Sequence, residues 1–245
     1  MRRLVTADKM QGRRVGVVMT MGALHEGHLS LVRRSVEECD RTAVTIFVNP
    51  TQFGPQEDYA KYPRQLHEDL SLLADLGVNY VFTPQPSEMY PSGHSTRISP
   101  PRVAEVLEGQ CRPGHFEGVT TIVLKLLQVI PADIAYFGQK DYQQYLVIRT
   151  MVEELDVASD IRVCPIVRDA DGLALSSRNQ YLATEARQRA LAISESLSLA
   201  EQMVRDGQRR ASTIAAHMRQ HLVDADIERI DYIALVDPKS LQEVR

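Results

Sequence analysis

Residues Val15 to His28 read VGVVMTMGALHEGH. The run VGVVM is apolar and rich in valine, which is typical of a buried strand, and an apolar pattern at helical spacing begins at Leu29. Gly22 and Gly27 lie in the turn between the two, where a ligand could approach the backbone. The stretch therefore predicts a strand–turn–helix unit of the kind that opens a parallel α/β sheet.

The rest of the chain continues this alternation, which favours a Rossmann-like parallel sheet with crossover helices. After Arg168 the pattern changes to long, polar-faced helices, so we expect one domain at residues 1–165 and a smaller α+β domain at 166–245. The expected strands are residues 15–19, 43–48, 78–83, 134–137, 161–167 and 230–236, with a short edge strand in the proline-rich stretch 84–101. The expected helices after the first are residues 66–76, 119–129, 142–155, 184–205 and 212–222.

The composition is that of an ordinary globular protein, with 245 residues, 44% hydrophobic, 24% charged and a net charge of −4. General nucleic-acid and membrane-surface binders normally carry a basic excess, which this chain lacks. Cys39, Cys111 and Cys164 match no zinc spacing and are expected to be small buried hydrophobes. No apolar stretch approaches the length of a membrane span. We therefore expect a cytoplasmic protein with no nucleic-acid or membrane partner.

His25 and His28 lie three residues apart at the start of the first expected helix. A helix amino terminus beyond the carboxyl end of a strand offers N–H groups and a partial positive charge to a phosphate, and both imidazoles could donate to the same phosphate chain. The alternatives are a metal site, although zincin histidines are four apart and no third ligand is evident, or a structural role for either ring. Because the chain has no Walker A motif and no G-x-G-x-x-G, a nucleotide would need a scheme such as this one.

Two further segments carry phosphate-binding chemistry. Residues 138–141 directly follow an expected strand, where Lys140 would bring a positive charge to a phosphate and Asp141 a carboxylate to a ribose or a metal ion. Residues 176–178 combine two hydroxyls with a guanidinium, a donor cluster suited to phosphate oxygens. A solvated surface turn is the alternative for both segments.

Six segments, in one order, resemble the pantoate–β-alanine ligases, a family of the HIGH-motif nucleotidyl-transferase superfamily. They are TMGALHEGH (20–28), FVNPTQF (47–53), YPR (62–64), RPGHFEGV (112–119), GQKDYQQ (138–144) and GLALSSRN (172–179). The resemblance implies a Rossmann-type domain with a smaller C-terminal domain. It also implies ATP-dependent condensation of (R)-pantoate with β-alanine to pantothenate, through a pantoyl-adenylate and with release of AMP and pyrophosphate.

The resemblance also implies roles for individual residues. His28, His25, Lys140 and Arg178 would be catalytic, with His28 as proton donor. Gln52 would bind pantoate and β-alanine, and Gln144 would bind pantoate. A Mg²⁺ ion with unidentified ligands, a homodimer, and a cover over the adenylate formed by residues 112–118 are further expectations. The residues implied to bind ATP are Met21, Gly22, Ala23, Leu24, His25, Glu26, Gly27, His28, Gly138, Gln139, Lys140, Asp141, Val167, Leu175, Ser176, Ser177 and Arg178.

The chain departs from the family pattern in three places. Met19 stands where the family usually has proline, the family usually has a few more N-terminal residues, and it continues past Arg245 with a strand-forming segment. We therefore expect a shortened C-terminal domain.

Three other functions stay open at this point. One is a nucleotidyltransferase that keeps the nucleotide on its product, which would not need both Gln52 and Gln144. Another is a class I aminoacyl-tRNA synthetase fragment, which would need a basic tRNA-binding region. The third is a non-catalytic nucleotide-binding module.

Overall fold

The computed structural model describes residues 1–244 and divides into two compact units, the second of which begins at Val167. No helix within the described part of the chain is long and apolar enough to cross a membrane. The strands, all in the first unit, are β1 (Val15–Thr20), β2 (Arg41–Ile46), β3 (Tyr80–Phe82), β4 (Ile134–Gly138) and β5 (Asp160–Cys164). The helices of the first unit are α1 (Arg2–Met10), α2 (Glu26–Glu38), α3 (Leu66–Asp75), α4 (Pro86–Met89), α5 (Glu108–Cys111), α6 (His115–Val129) and α7 (Tyr142–Glu154), and those of the second are α8 (Thr184–Arg205) and α9 (Ala211–Asp224).

The five strands form one parallel sheet in the order β3-β2-β1-β4-β5. The chain moves from β1 outward to β3 and then returns to the other side of β1 with β4. The order of strands therefore reverses between β1 and β4, and ligands of open α/β sheets bind beyond the carboxyl ends of the strands at such a point. The expected Rossmann-like parallel sheet is confirmed.

Side chains of alternating residues build a core on each face of the sheet, because neighbouring side chains of a strand point to opposite faces. Val17 of β1 and Ala135 of β4 pack into one core with α6 and α7. Val18 and Tyr136, one residue further along each strand, pack into the other core with α2 and α3. The strands are buried on both faces, which is why they read as continuous apolar runs rather than as alternating patterns.

Two expected strands do not form within residues 1–244. The segment 230–236 makes only a single antiparallel bridge, between Val236 and Glu243, across a tight turn held by Asp237. Its apolar residues are at least partly exposed, and its pairing is limited to this bridge, beside which the Val244 N–H donates to the Leu235 carbonyl at 2.9 Å. The proline-rich stretch 84–101 contains α4 and otherwise irregular backbone, because Pro86 favours the first turn of a helix and cannot donate to a sheet.

Candidate active site

The loop between β1 and α2 is a tight turn of left-handed backbone. Gly22 has a φ of +81° and Ala23 a φ of +50°. Thr20 Oγ1 accepts a hydrogen bond from the Gly22 N–H at 3.2 Å and donates to the Thr45 carbonyl at 2.7 Å. Because the left-handed region suits glycine but not alanine, the turn needs further contacts to hold it. It leads directly into His25, the N-cap of α2.

Asp69 of α3 supplies those contacts, and sequence reasoning missed it. Its carboxylate is fully buried and accepts the Ala23 N–H at 2.9 Å and the Leu24 N–H at 2.8 Å, one on each oxygen. Burial raises the pKa of Asp69, although these two hydrogen bonds act in the opposite direction. A signal was present in the sequence, since Asp69 lies one helical turn before the buried Leu73 and so puts a charge on the apolar face of α3.

His25 caps α2 with its ring. Its Nδ1 accepts the Gly27 N–H at 3.1 Å, so the neutral ring carries its proton on Nε2. Burial and, next, the positive charge of Lys140 lower the pKa of His25, while Asp141 acts in the opposite direction. At pH 7 His25 is therefore a neutral imidazole with one N–H left to donate.

His28 is stacked beside His25, with ring centroids 4.1 Å apart and a tilt of 33° between the rings. Burial, followed by the charges of His25 and Lys140, lowers the pKa of His28 to about 3. Its Nδ1 is buried and has no hydrogen-bond partner within residues 1–244. Because buried polar atoms are nearly always paired, this nitrogen indicates a position where a bound ligand or water completes the structure.

Replacing His28 with asparagine should make the free energy of unfolding fall less steeply as the pH is lowered. The pKa of His28 is about 3 in the folded chain against an ordinary 6.5, so between these values the unfolded chain binds a proton that the folded chain does not. Falling pH then favours unfolding of the wild type, with the loss beginning below about pH 6.5. Urea denaturation from about pH 7 down to about pH 4 measures the effect. Parallel curves for the two proteins would contradict a neutral, buried His28.

The end of β4 brings Lys140 to the same edge of the sheet. β4 pairs directly with β1 and ends at Gly138, and Gln139–Asp141 form one 3-10 turn leading into α7. Lys140 Nζ lies 3.1 Å from Asp141 Oδ1, and both side chains are exposed. The charge of Lys140 lowers the pKa of both histidines of the β1–α2 loop. The two imidazoles and the ammonium group thus lie on segments that leave the same edge of the sheet, where the strand order reverses.

Asn49 fixes the orientation of the Gln52 side chain. Asn49 is buried, and its Oδ1 accepts the Thr51 N–H at 3.4 Å and the Tyr90 hydroxyl at 2.7 Å. Because a backbone N–H can only donate, the other end of the Asn49 amide is the NH2 group, which donates to Gln52 Oε1 at 3.1 Å. The NH2 of Gln52 is then left to face Met21 Sδ, at 3.1 Å, on the β1–α2 loop. Gln52 therefore turns its NH2 group toward the β1–α2 loop.

Residues 112–118, the expected cover, are held by specific contacts beside Gln52. Arg112 forms a two-pronged ion pair with Glu57, at 2.8 and 2.5 Å. α6 begins at His115, whose Nδ1–H donates to the Gln52 carbonyl at 2.8 Å. The second half of the segment is therefore the first turn of a packed helix, and only its beginning remains a loop.

Gln143 and Gln144 are consecutive on the first turn of α7 but differ in their contacts. The Gln143 side chain donates to the carbonyls of Val103, at 2.9 Å, and Val106, at 2.7 Å, and accepts the Glu108 N–H at 3.1 Å. The Gln144 side chain is half-buried and makes no hydrogen bond within the described residues. The Gln143 side chain is thus used by the fold, whereas the Gln144 side chain is not.

The second unit begins with a compact hairpin that contains the remaining expected ATP-binding residues. The Leu175 N–H donates to the Val167 carbonyl at 3.0 Å. Ser176 caps a short 3-10 turn by accepting the Arg178 N–H at 3.3 Å. Ser177 is buried in this turn, and Arg178 is exposed. Within this unit the hairpin therefore gathers the hydroxyls and the guanidinium over a few residues.

The Asp141 carboxylate is of the kind that can share a magnesium ion with phosphates. Within residues 1–244 no three His, Cys, Asp or Glu side chains are grouped as ligands for a metal ion. Magnesium at nucleotide sites typically uses one or two carboxylates together with substrate phosphates. Asp141 offers one exposed carboxylate at the edge that carries the histidines. These residues therefore fit a magnesium ion that arrives with a nucleotide.

Comparison with known proteins decides the family. The profile described as pantoate-beta-alanine ligase matches residues 1–245. The chain belongs to the pantoate–β-alanine ligase family. The pantothenate synthetase of Pseudothermotoga lettingae is 51% identical over 230 residues, which are 94% of this chain and 82% of that protein. The pantothenate synthetase of Moorella thermoacetica is 48% identical over 241 residues, which are 98% of this chain and 85% of that protein.

Solved structures of the pantoate–β-alanine ligase family have the same fold. The pantothenate synthetase of Thermus thermophilus matches with a TM-score of 0.92 and 42% identity, over 94% of this chain and 84% of that one. The ligase of Francisella tularensis, a complex with beta-gamma ATP and beta-alanine, matches with a TM-score of 0.77 and 38% identity, over 89% of this chain and 83% of that one.

Proposed function

We propose that this chain catalyses the ATP-dependent ligation of pantoate with β-alanine to give pantothenate. The observation that carries the proposal is that His25, His28 and Lys140 follow the carboxyl ends of the paired strands β1 and β4 in a chain that matches the ligase family throughout. The Francisella tularensis ligase, which holds beta-gamma ATP and beta-alanine, supports the same two substrates here.

The first step activates the carboxylate of pantoate, since a carboxylate is a poor electrophile. A carboxylate oxygen of pantoate attacks the α-phosphorus of ATP and forms a new oxygen–phosphorus bond. The bond between the α-phosphorus and the oxygen that bridges to the β-phosphorus breaks. The products are pantoyl-adenylate and pyrophosphate, which leaves with the electron pair of the broken bond. Negative charge accumulates on the pyrophosphate, so the step needs donors and positive charge that are already in place.

The second step forms the amide. The neutral amine of β-alanine attacks the acyl carbon of pantoyl-adenylate, the carbon–nitrogen bond forms, and the carbon–oxygen bond to AMP breaks. The nitrogen loses a proton and AMP leaves with the electron pair. Because water would hydrolyse the adenylate, the acyl carbon must be shielded. The contacts that hold residues 112–118 beside Gln52 support a role for this segment as that shield.

The β1–α2 loop and Lys140 are suited to the first step. His25 and His28 are neutral in the free chain and act as hydrogen-bond donors to the phosphates, while Lys140 supplies the full positive charge. A bound triphosphate would raise the pKa of both histidines, because a nearby negative charge favours the imidazolium form. His28 could then pass a proton to the departing pyrophosphate, the role of proton donor that the resemblance implies.

The remaining roles follow the family resemblance residue by residue. The NH2 of Gln52 has a second N–H, besides the one that faces Met21 Sδ, to donate to an oxygen of pantoate or β-alanine, and the Gln144 side chain would orient pantoate. From the second unit, Val167, Leu175 and residues 176–178 would bind ATP, with Arg178 as a catalytic cation. Asp141 would hold a magnesium ion, which neutralises phosphate charge when bound.

Exchange of labelled pyrophosphate into ATP tests the proposal. With pantoate present and β-alanine absent, the purified chain should catalyse exchange, because the first step is reversible and needs no amine. Pantothenate and AMP should then form in equal amounts when β-alanine is added. Exchange that depends on an amino acid or on phosphopantetheine instead of pantoate would contradict the proposal, as would a product that retains the nucleotide.

Alanine at Gln144 should raise the KM for pantoate by about 10-fold, because a side-chain hydrogen bond to a neutral or charged ligand is worth about 0.5–3 kcal/mol. The melting temperature should not change, because the Gln144 side chain makes no hydrogen bond within the described residues. The matched variant Gln143→Ala should mainly affect stability. It loses three hydrogen bonds of the fold and should lower stability with a smaller effect on the KM for pantoate. Steady-state kinetics and thermal unfolding of both variants decide the matter. Equal effects of the two changes on KM would remove Gln144 from the pantoate site.

A homodimer and a cytoplasmic location stay predictions of the family resemblance. Sedimentation velocity of the purified chain would measure the first.

A further inference from the structure

We infer that Asp69 is a positioning residue for the ATP site, in that its buried carboxylate holds the β1–α2 loop in the conformation that presents His25 and His28. The inference rests on the proposed function for the identity of the nucleotide. Asp69 lies on α3, more than forty residues after the loop in sequence. Its two hydrogen bonds to the loop are accepted from backbone N–H groups, so we assign it a role in holding the loop and not in binding the substrate.

The loop cannot hold its shape by local preference alone. Gly22 and Ala23 are both left-handed, with φ values of +81° and +50°. An alanine in this region is disfavoured because its Cβ crowds the following carbonyl, so the conformation persists only where the surroundings impose it. The two N–H groups that follow Gly22 also lie outside the hydrogen-bonding pattern of strand and helix, because the chain has left β1 and α2 has not yet begun.

Asp69 satisfies both requirements with one carboxylate. Oδ2 accepts the Ala23 N–H at 2.9 Å and Oδ1 accepts the Leu24 N–H at 2.8 Å, and the side chain is wholly buried. A Cβ added to Gly22 would lie 3.0 Å from Asp69 Oδ2, so the loop rests directly on the carboxylate. Charge-assisted hydrogen bonds are stronger than neutral ones, which explains why an acid is buried here in spite of the cost of desolvating it.

The same contact explains why this site needs histidines. In a P-loop, backbone N–H groups of the loop turn toward the phosphates. Here the N–H groups of Ala23 and Leu24 turn toward Asp69 and are not available to a ligand. Recognition of the phosphates then passes to the groups that follow in the chain, His25 and His28. By fixing the residues just before His25, Asp69 sets the direction from which the imidazoles approach.

The variant Asp69→Asn tests the inference, because it keeps the shape but turns one acceptor into a donor that faces a backbone N–H. Calorimetric titration with a non-hydrolysable ATP analogue should give a Kd about 10- to 100-fold higher than wild type, the range expected for losing a charge-assisted hydrogen bond. The KM values for pantoate and β-alanine should change little. Glu68→Gln is the matched control, since Glu68 is the exposed neighbour on the same turn of α3, and it should bind the analogue as wild type does.

A second variant keeps the test decisive if Asp69→Asn does not fold. Gly22→Ala leaves Asp69 intact but pushes a Cβ against Asp69 Oδ2 and Ile46 Cγ2, each at 3.0 Å, at a φ of +81°, and it too should weaken analogue binding selectively. The double variant should lose less than the product of the two single effects, because both changes disturb the contact between the loop and the Asp69 carboxylate. Wild-type affinity in folded Asp69→Asn, or equal weakening for all three substrates, would overturn the inference. Binding of the analogue needs no pantoate. A failure of pantoate-dependent exchange in the wild type would therefore overturn the proposed function, but it would leave the measured effect of Asp69→Asn on analogue affinity valid.

Discussion

Alanine in place of Lys140 should lower kcat by about 10²- to 10³-fold, the loss typical when one preorganised group that stabilises a developing negative charge is removed. Lys140 lies in the turn after β4, and its charge reaches both histidines of the β1–α2 loop. Lys140 adds a full positive charge beside the two histidines. This charge matters when pyrophosphate departs, because negative charge then grows on the pyrophosphate. The effect should therefore fall on pantoate-dependent pyrophosphate exchange as much as on the complete reaction.

The control for Lys140 is a second ion-paired lysine at the other end of the sheet. Lys9 Nζ lies 2.8 Å from Asp133, which directly precedes β4, so Lys9→Ala removes a similar ion pair at the amino ends of the strands. It should leave kcat within about twofold of wild type, since this partly exposed charge lies at the opposite end of β4 from the site and solvent screens such charges with distance. Lys140→Arg should recover part of the activity, because charge is kept but the length and the shape of the head group change. Near-normal turnover by Lys140→Ala would remove Lys140 from the mechanism.

Asparagine in place of His28 should also lower kcat by about 10²- to 10³-fold. Its ring is stacked on His25, and the buried Nδ1 has no partner within residues 1–244, so the imidazole is prepared for a ligand and not for the fold. The same variant is predicted to be less sensitive to acid than the wild type. Activity and stability should therefore move in opposite directions at acid pH, which a merely destabilising substitution cannot produce.

The exposed His67 of α3 provides the comparison for His28. His67→Asn removes an imidazole from the same unit without touching the β1–α2 loop, and it should retain wild-type kcat and KM for ATP. If His28→Asn converted ATP and pantoate at the wild-type rate, His28 would have only a structural role and the proposed catalytic role would be wrong.

The parallel sheet could be predicted from sequence because each central strand is buried on both faces and reads as an unbroken apolar run. Helix α1 was not predicted. Its sequence is strongly charged, and it is tied to the sheet by the buried Asp8, which accepts from the Tyr80 hydroxyl at 2.5 Å and pairs with Arg13 at 2.5 Å. The segment 230–236 has the composition of a strand but not the partner that a strand needs. The local sequence pattern therefore predicts which segments are buried, but it does not predict which distant segments pair with each other.

The candidate site divides in the same way. His25, His28 and Lys140 could be predicted because they stand at the ends of strands, where chemistry and chain position coincide. Asp69 and Asn49 could not, because their function is to accept or donate to backbone and amide groups brought from elsewhere in the chain. Nor does the local pattern separate Gln143 from Gln144, whose different roles follow from which side of α7 each one occupies.

A crystal structure of the chain with a non-hydrolysable ATP analogue would show whether the nucleotide binds where the strand order reverses. The triphosphate should lie within hydrogen-bond distance of His25, His28 and Lys140, and Asp69 should keep its two bonds to the β1–α2 loop. A nucleotide bound elsewhere, with both imidazoles facing solvent or protein, would contradict the proposed site.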